Sequence, residues 1–343
     1  MSGGGSSGGS LRRYLLTRVA LTLPMLLILL TLVFLLLRVA PGDPIRATLG
    51  DRLSTEEIEA RSEALGFNDP ILVQYGRYLG GVLTGDLGNP LTDRRTTLGV
   101  IADTFPATLE LTLFAMMVAI GVGVLVGAVS GRLRDTPFDV GGRLFGVLIY
   151  AAPIFWLGVL AQLVFSLRLG WFPTGSRMTG FDAPRDITGL YVLDSILTLD
   201  GSALLASLHH LVLPGTTLGL VIGGIFVRLV RVNMLQTLRS DYVEAAHARG
   251  IGERSVLFRH AFKNALVPVV TIIGLQFALL LGGAILTERV FSWPGMGTAI
   301  LRFLEARDYV GVQGIVTFFA LVVVIVSLLI DLVNGLVDPR IRY

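Results

Sequence analysis

The residues best placed to make specific polar contacts lie in one segment. From Arg239 to Pro268 it reads Arg-Ser-Asp-Tyr-Val-Glu-Ala-Ala-His-Ala-Arg-Gly, Ile-Gly-Glu-Arg-Ser-Val-Leu-Phe-Arg-His and Ala-Phe-Lys-Asn-Ala-Leu-Val-Pro. The alanine-rich run Tyr242 to Arg249 predicts a short helix that stops at Gly250, because glycine tolerates a left-handed turn. A second short helix is expected over about 253–265, leading to Pro268. A helix–turn–helix with small residues at its tip suits a groove in another protein, where docking needs an exposed face and close approach. The other reading is an amphipathic helix lying on a membrane surface; the lack of bulky anchors at the tip argues against it. Catalytic chemistry finds no support. There is no cysteine, so thiol catalysis, Fe–S clusters and zinc-thiolate sites are excluded. Lys263 is the only lysine, and it lies between Phe262 and Asn264, so no Gly-x4-Gly-Lys-Ser/Thr phosphate loop exists. The chain has no His-Glu-x-x-His, and residues 11–343 hold no Gly-x-Ser-x-Gly. Its four histidines, His209, His210, His247 and His260, have no companion carboxylate at metal-ligand spacing. No catalytic residue, cofactor-binding residue or metal ligand is expected.

The elements that must hold this segment are membrane helices. Of the 343 residues 53% are hydrophobic and 15% charged, against roughly 25% charged in ordinary soluble domains. The basic groups sit at the ends of apolar runs, unlike the clustered patch of a nucleic-acid binder. A bilayer core takes about 20 apolar helical residues to cross. Six such runs are expected, at about 14–38, 106–131, 139–167, 208–231, 266–288 and 313–337. The first is too long for a signal-peptide core. Arginines at 12, 13 and 18, at 132 and 134, at 340 and 342, and seven basic residues from Arg228 to Lys263 then fall on one side. The positive-inside rule makes that side the cytoplasm, with both termini inside. The expected fold is all-α and polytopic: a flexible Gly/Ser tail over 1–10, a first span within 11–38, an extracytoplasmic helical segment over 39–105, and a five-helix core over 106–343 with the inner loop at 232–265.

The outer segment carries its own helix signals. Ser54-Thr55-Glu56-Glu57 reads as a capping box, with Gly66 as the residue after the helix. A second helix is expected from Asp69 as N-cap and Pro70 at the first helical position, ending at Gly85. Its apolar residues Ile71, Leu72, Tyr75, Leu79 and Val82 share one face. This cap either covers the outer ends of the spans or rests on a neighbour. Mid-depth ionisable groups, the mark of an ion-coupled transporter, are missing. Glu110 lies one turn into the second span, where it serves the helix or lines the outer end of a pathway. Asp331 lies near the inner end of the sixth, and Arg228 and Arg231 are expected to snorkel from the fourth. Gln162 and Gln276 make interhelical hydrogen bonds or touch a substrate. Pro153 and Pro214 are expected to loosen or kink their helices, while Gly215, Gly219, Gly223 and Gly224 also allow a close packing seam. The outer stretch Glu288–Gly297 either dips back toward the bundle as a gate, with Phe291, Trp293, Pro294 and Gly295 in it, or anchors at the interface through its aromatics.

Glu244-Ala245-Ala246, with Gly250 six residues after the glutamate, resembles the "EAA" coupling motif of ABC importer permeases. The continuation through Arg259-His260, Asn264-Ala265-Leu266 and Pro268 is similar to the peptide/nickel class. Ala40-Pro41-Gly42-Asp43-Pro44, Leu65-Gly66, Gln74-Tyr75, Gly85-Asp86-Leu87-Gly88, Pro106 to Leu111, Leu169-Gly-Trp171-Phe-Pro173, Glu288 to Gly297 and Asp338-Pro339-Arg340-Ile341-Arg342 follow in the right order. From about residue 11 to the end the chain resembles the B-type permease subunit of dipeptide/oligopeptide importers. It departs in having Val310 after Asp308-Tyr309, where the family often has proline, and His247-Ala248-Arg249 before the glycine. The resemblance implies a subunit of a bacterial or archaeal cytoplasmic membrane complex. In it this chain pairs with a second, homologous permease on two cytoplasmic ATPases that bind ATP-Mg, and takes peptides from an extracytoplasmic solute-binding protein. Asp241, Tyr242, Glu244, Ala245, Ala246, Gly250, Arg259 and His260 would couple to the ATPases, Phe291, Trp293, Pro294 and Gly295 would form the outer gate, and Glu110 and Gln276 would face the pathway. The cargo stays open among dipeptide, longer peptide, nickel chelate and sugar, because in this family the binding protein does most of the selecting. An ion-gradient-driven transporter of a small solute is the alternative.

Overall fold

The structure, a computed structural model, describes residues 7–39, 44–50, 54–178 and 183–337. Among the described residues the regular structure is all helix, with no strand. Ala40 to Asp43 and Asp338 to Arg342 lie outside the described residues. The first helix, α1 (Ser7–Val39), begins inside the stretch expected to be a tail, since the apolar run propagates a helix more readily than it starts one. Next come α2 (Pro44–Leu49), α3 (Thr55–Ala64) and α4 (Ile71–Thr84). The capping box forms as expected. Ser54 Oγ accepts from the Glu57 amide at 3.3 Å, and Glu57 Oε2 accepts from the Ser54 amide at 2.9 Å. At α4 the expected cap shifts by one residue. Pro70 occupies the N-cap position, and Asp69 instead holds Arg77 at 2.9 Å. Helix α4 lies against α1 and the last helix, α16 (Tyr309–Val337). The Tyr75 hydroxyl bonds Thr31 Oγ1 at 2.5 Å, the Tyr78 hydroxyl bonds Thr317 Oγ1 at 2.7 Å, and Phe34 packs on both tyrosine rings.

Among the described residues four helices are long and apolar enough to cross a membrane: the Thr17–Leu35 part of α1, α5 (Thr97–Arg132), α9 (Gly201–Leu238) and the Tyr309–Val333 part of α16. Two bent pairs bring the number to six if each is one span. The expected third span is not one rod. It breaks between α6 (Pro137–Ala151) and α7 (Ile154–Ala161), which continues as a π-helical turn to Arg168, and the two parts meet at 101°. Proline has no amide hydrogen and pushes the preceding residue into extended backbone, so Ala152 stands at φ −74°, ψ 134° before Pro153. Pro214, by contrast, leaves α9 uninterrupted over 38 residues. The hydroxyls of Thr216 and Thr217 donate back to the carbonyls of Val212 and Leu213 in the same turn, which adds partners where proline thins the backbone ladder.

The centre of the bundle is the parallel pair α5 and α9, which forms by far the most extensive helix contact. Glycines make the contact possible. Gly123 lies against Phe226, Gly127 against Val227 and Val230, and Gly131 against Met234, while Gly219 faces the Ala115 carbonyl and Val118. The glycine run of α9 is therefore a packing seam. Helix α6 crosses α9 at Gly146 and Gly224, and its Asp139 meets Arg231. Arg231 thus does not reach for the interface as expected, because a fully buried carboxylate claims it at 2.5 Å. Overpacking a tight seam costs about 1–3 kcal/mol. Gly123→Ala is expected to lower the unfolding temperature of the detergent-purified protein. Gly121→Ala, on the same helix with open space at its Cβ, is expected to leave it unchanged or slightly raised, and equal melting of the two would show that the seam does not hold the pair.

Candidate functional site

At its C-terminal end α9 turns at Arg239 into α10 (Asp241–Ala248). Three short pieces then run on as one arm: α11 (Glu253–Ser255), a π-helical turn over Val256–Phe262, and α12 (Lys263–Ala265). The expected helix–turn–helix is present within one residue at each end. Val243 and Ala246 are buried against Val256 and Ala261, with Leu238 and Ile251 at the rim, so a small separate core holds the two arms together. Everything else on α10 faces out: Asp241, Tyr242, Glu244, Ala245, His247 and Ala248 are exposed. Gly250 sits at φ +75° with free space around it. Its need for glycine is therefore conformational. Its amide donates to the His247 carbonyl at 2.9 Å and that of Ile251 to the Ala246 carbonyl at 3.2 Å, the double bond of a Schellman turn. His247 Nε2 stands 3.4 Å from Glu253 Oε1 across the tip. Of the expected coupling residues Ala246 is buried and serves the small core, and the side chains of Arg259 and His260 lie outside the described residues. What remains is a firm projection with an acidic, small-residue face.

The opposite end of the bundle holds the second candidate. Helix α13 (Val267–Gly283) is followed by α14 (Ile285–Val290), the loop Phe291–Gly295 and α15 (Met296–Glu305). Phe291 and Trp293 are 1% exposed, which excludes a surface aromatic anchor, while Ser292 and Pro294 face out. The indole Nε1 donates to the Ala107 carbonyl of α5 at 2.8 Å. Glu288, fully buried, accepts from Thr108 Oγ1 at 2.6 Å and from the Thr298 amide at 2.9 Å; Thr108 in turn accepts from the Met296 amide. A side chain at Gly295 would collide with the Glu288 carboxylate and with Thr108. The Phe291 carbonyl accepts from the Ser176 amide, and Gln162 Nε2 donates to the carbonyls of Thr174 and Val290, so Gln162 is an interhelical tie. The loop is folded back into the bundle.

Glu110 is buried and paired. Arg177 gives its Oε2 bonds of 2.7 and 3.1 Å and also holds the Gly189 carbonyl, while the Val192 amide donates to Oε1 at 2.7 Å. The guanidinium stacks on Tyr191 at 3.6 Å. Just beyond, α8 (Tyr191–Leu197) is fixed by Asp194, which receives the amides of Ile187, Thr188 and Gly189 and the Thr188 hydroxyl. Burial alone would raise that carboxyl, but these hydrogen bonds outweigh it and hold it below its ordinary 3.8. Gln276 is half-buried on α13 with no hydrogen-bond partner among the described residues. Arg177 escaped the sequence reading. Its signal was the need of a buried Glu110 for a cation, which did not choose among the loop arginines. Asp331 is likewise matched, to Arg18 at 3.6 Å. Among the described residues no cluster of His, Cys, Asp and Glu has a metal-binding arrangement.

Residues 119–343 match the family described as binding-protein-dependent transport system inner membrane component, and residues 11–112 match its N-terminal companion. The chain belongs to this family. As a permease of this kind it is a multi-pass inner membrane protein. It is 40% identical over 334 residues to the dipeptide transport system permease protein DppB of Alkalihalophilus pseudofirmus, covering 96% of this chain and 99% of that protein. It is 37% identical over 331 residues to the di/tripeptide transport system permease protein DppB of Pseudomonas aeruginosa, covering 96% and 98%. The dipeptide transport system permease protein DppB of Escherichia coli is 37% identical over 338 residues, with 96% and 99% covered. In this permease, Arg177→Met would strand the Glu110 charge, a change that costs about 3–5 kcal/mol when an ion pair is buried. The double variant Glu110→Leu with Arg177→Met is expected to recover most of that loss in thermal melting. A single variant as stable as the wild-type chain would refute the buried pairing.

Proposed function

We propose that this chain is one of two permease subunits of an ATP-driven importer that moves di- or oligopeptides handed over by an extracytoplasmic binding protein. Six spans make half a pathway, so a second, homologous permease supplies the other half. The observation that carries the reading is the exposed α10 projection, with Asp241, Tyr242, Glu244 and Ala245 outward on their own small core. It has the form of a helix seated in a partner's groove. With no phosphate loop in the chain, ATP-Mg binds to two cytoplasmic ATPase subunits, and their movement enters through α10 and the arm that follows it. This orientation puts both termini in the cytoplasm, in line with the arginine distribution. The loop Phe291–Gly295 then lies at the outer end, where its exposed Ser292 and Pro294 face the binding protein as part of the gate. The names of the relatives support peptides as cargo. ATP binding and hydrolysis bias the outward- and inward-facing states. The ion-coupled alternative is disfavoured because Glu110 and Asp331 are already matched to Arg177 and Arg18.

The test is purification of a tagged copy from its own host in mild detergent, with mass spectrometry of its companions. Two P-loop ATPases and a second permease are expected. Gly250→Val puts a β-branched residue at φ +75°, and Glu244→Trp fills the docking face. Each is expected to lose the ATPases or to weaken peptide-stimulated ATP hydrolysis on the order of 5- to 150-fold, the usual range of coupling between sites. A chain that comes alone and moves solute on an ion gradient would overturn the importer reading.

A further inference from the structure

At the α10 end of the bundle, where α5 turns into α6, arginines from two directions converge. A cleft of about 330 Å3 is lined by Arg134, Asp135, Arg231, Leu235, Gln236 and Arg239. One buried carboxylate organises both walls. Asp139 takes the Arg231 guanidinium side-on at 2.5 and 2.8 Å, and it accepts the Asp135 amide at 3.1 Å. That second bond pins the turn that carries Arg134, with Asp135 at φ +62°. Arg134 faces Asp135 at 2.9 Å, but both are well exposed, and such a pair contributes about 0–1 kcal/mol. Arg239 has no acidic partner among the described residues. Arg228, Arg231 and Leu235 also follow one face of α9, spaced by three and four residues, and Arg239 caps its end. Three exposed apolar residues lie close to this lining in the chain: Leu133 and Val232, next to Arg134 and Arg231, and Phe138, next to Asp139, are 36%, 39% and 70% exposed.

Guanidinium groups converging on one space suit a phosphate, whose oxygens they grip two at a time. A free phosphate or a nucleotide would use the arginines and leave the apolar rim in water. A phospholipid uses both. We propose that this cleft binds the phosphodiester headgroup of an anionic phospholipid, with its acyl chains lying over Leu133, Phe138 and Val232. Basic pockets between membrane helices take such headgroups, and each arginine near a membrane surface adds about 1 kcal/mol to the attraction.

The experiment is native mass spectrometry of the intact transport complex, released from nanodiscs of phosphatidylcholine with and without phosphatidylglycerol. Wild-type complex is expected to retain phosphatidylglycerol selectively. Arg134→Gln with Arg239→Gln is expected to bind it roughly 30-fold more weakly, while the same positions changed to lysine keep most of the binding. Arg231 is left in place because it holds Asp139. Phe138→Gln is expected to weaken lipid retention without altering stabilisation by inorganic phosphate in detergent, which separates a lipid from a free phosphate. Equal retention of neutral and anionic lipid, equal retention by the glutamine pair, or a full effect from inorganic phosphate alone would each overturn the proposal. So would crosslinks from Arg134 and Arg239 that reach only an ATPase subunit.

Discussion

Two helices that meet in apolar surroundings gain little by hiding apolar surface, so α5 and α9 stay together only through close packing. Gly123, Gly127 and Gly131 let α9 side chains rest on the α5 backbone, and Gly219 returns the contact from the other helix. The rest of the molecule hangs from this pair. The first half of α5 supplies Ala107, Thr108 and Glu110, which hold the folded-back loop and the segment around Arg177. The far end of α9 delivers α10. A change in how the two helices sit against each other would be felt at both places, because they share these rods and no loop intervenes.

The polar groups follow a second rule. A carboxylate away from water is stable only when its oxygens are matched. Besides Asp194, which holds Ile187 to Gly189 on α8, four other buried acids each tie separate segments together. Glu110 takes Arg177 and the Val192 amide, Glu288 takes Thr108 and the start of α15, Asp139 takes Arg231 and the turn before α6, and Asp308 takes the amide and hydroxyl of Thr92. Glu288 does this with no ion-pair partner among the described residues. Its donors are a hydroxyl and backbone amides, a softer attachment than the Glu110–Arg177 pair. The loop at Phe291–Gly295 is therefore held by groups that can be exchanged for water without stranding a second charge.

What was legible in the sequence is what chemistry decides locally. The capping box at Ser54 and Glu57, the α10 helix and its stop at Gly250 are settled by near neighbours in the chain, and all three appear, α10 within one residue at each end. The break at Pro153 was also local, but its 101° angle depends on what α7 packs against. Asp69 misled because an acid before proline has two uses, and here Arg77 outcompetes the cap. The pairs Glu110–Arg177 and Asp139–Arg231 span 67 and 92 residues. Sequence could say that each buried acid needs a cation, but the choice belongs to tertiary packing. For the same reason Arg231, legible as an interfacial arginine, is the half-buried partner of a buried Asp139, and the Phe291–Trp293 aromatics are core.

Because Pro214 does not interrupt α9, its 38 residues make a single strut about 57 Å long at 1.5 Å per residue. Length turns small angles into large displacements. A tilt of about 5° pivoting at the α10 end carries the other end about 5 Å, close to one helical turn. A subunit gripping α10 would need to move it only slightly to shift groups at the far end by more than the diameter of a water molecule. In that case the helix would work as a lever, because Pro214 leaves it in one piece.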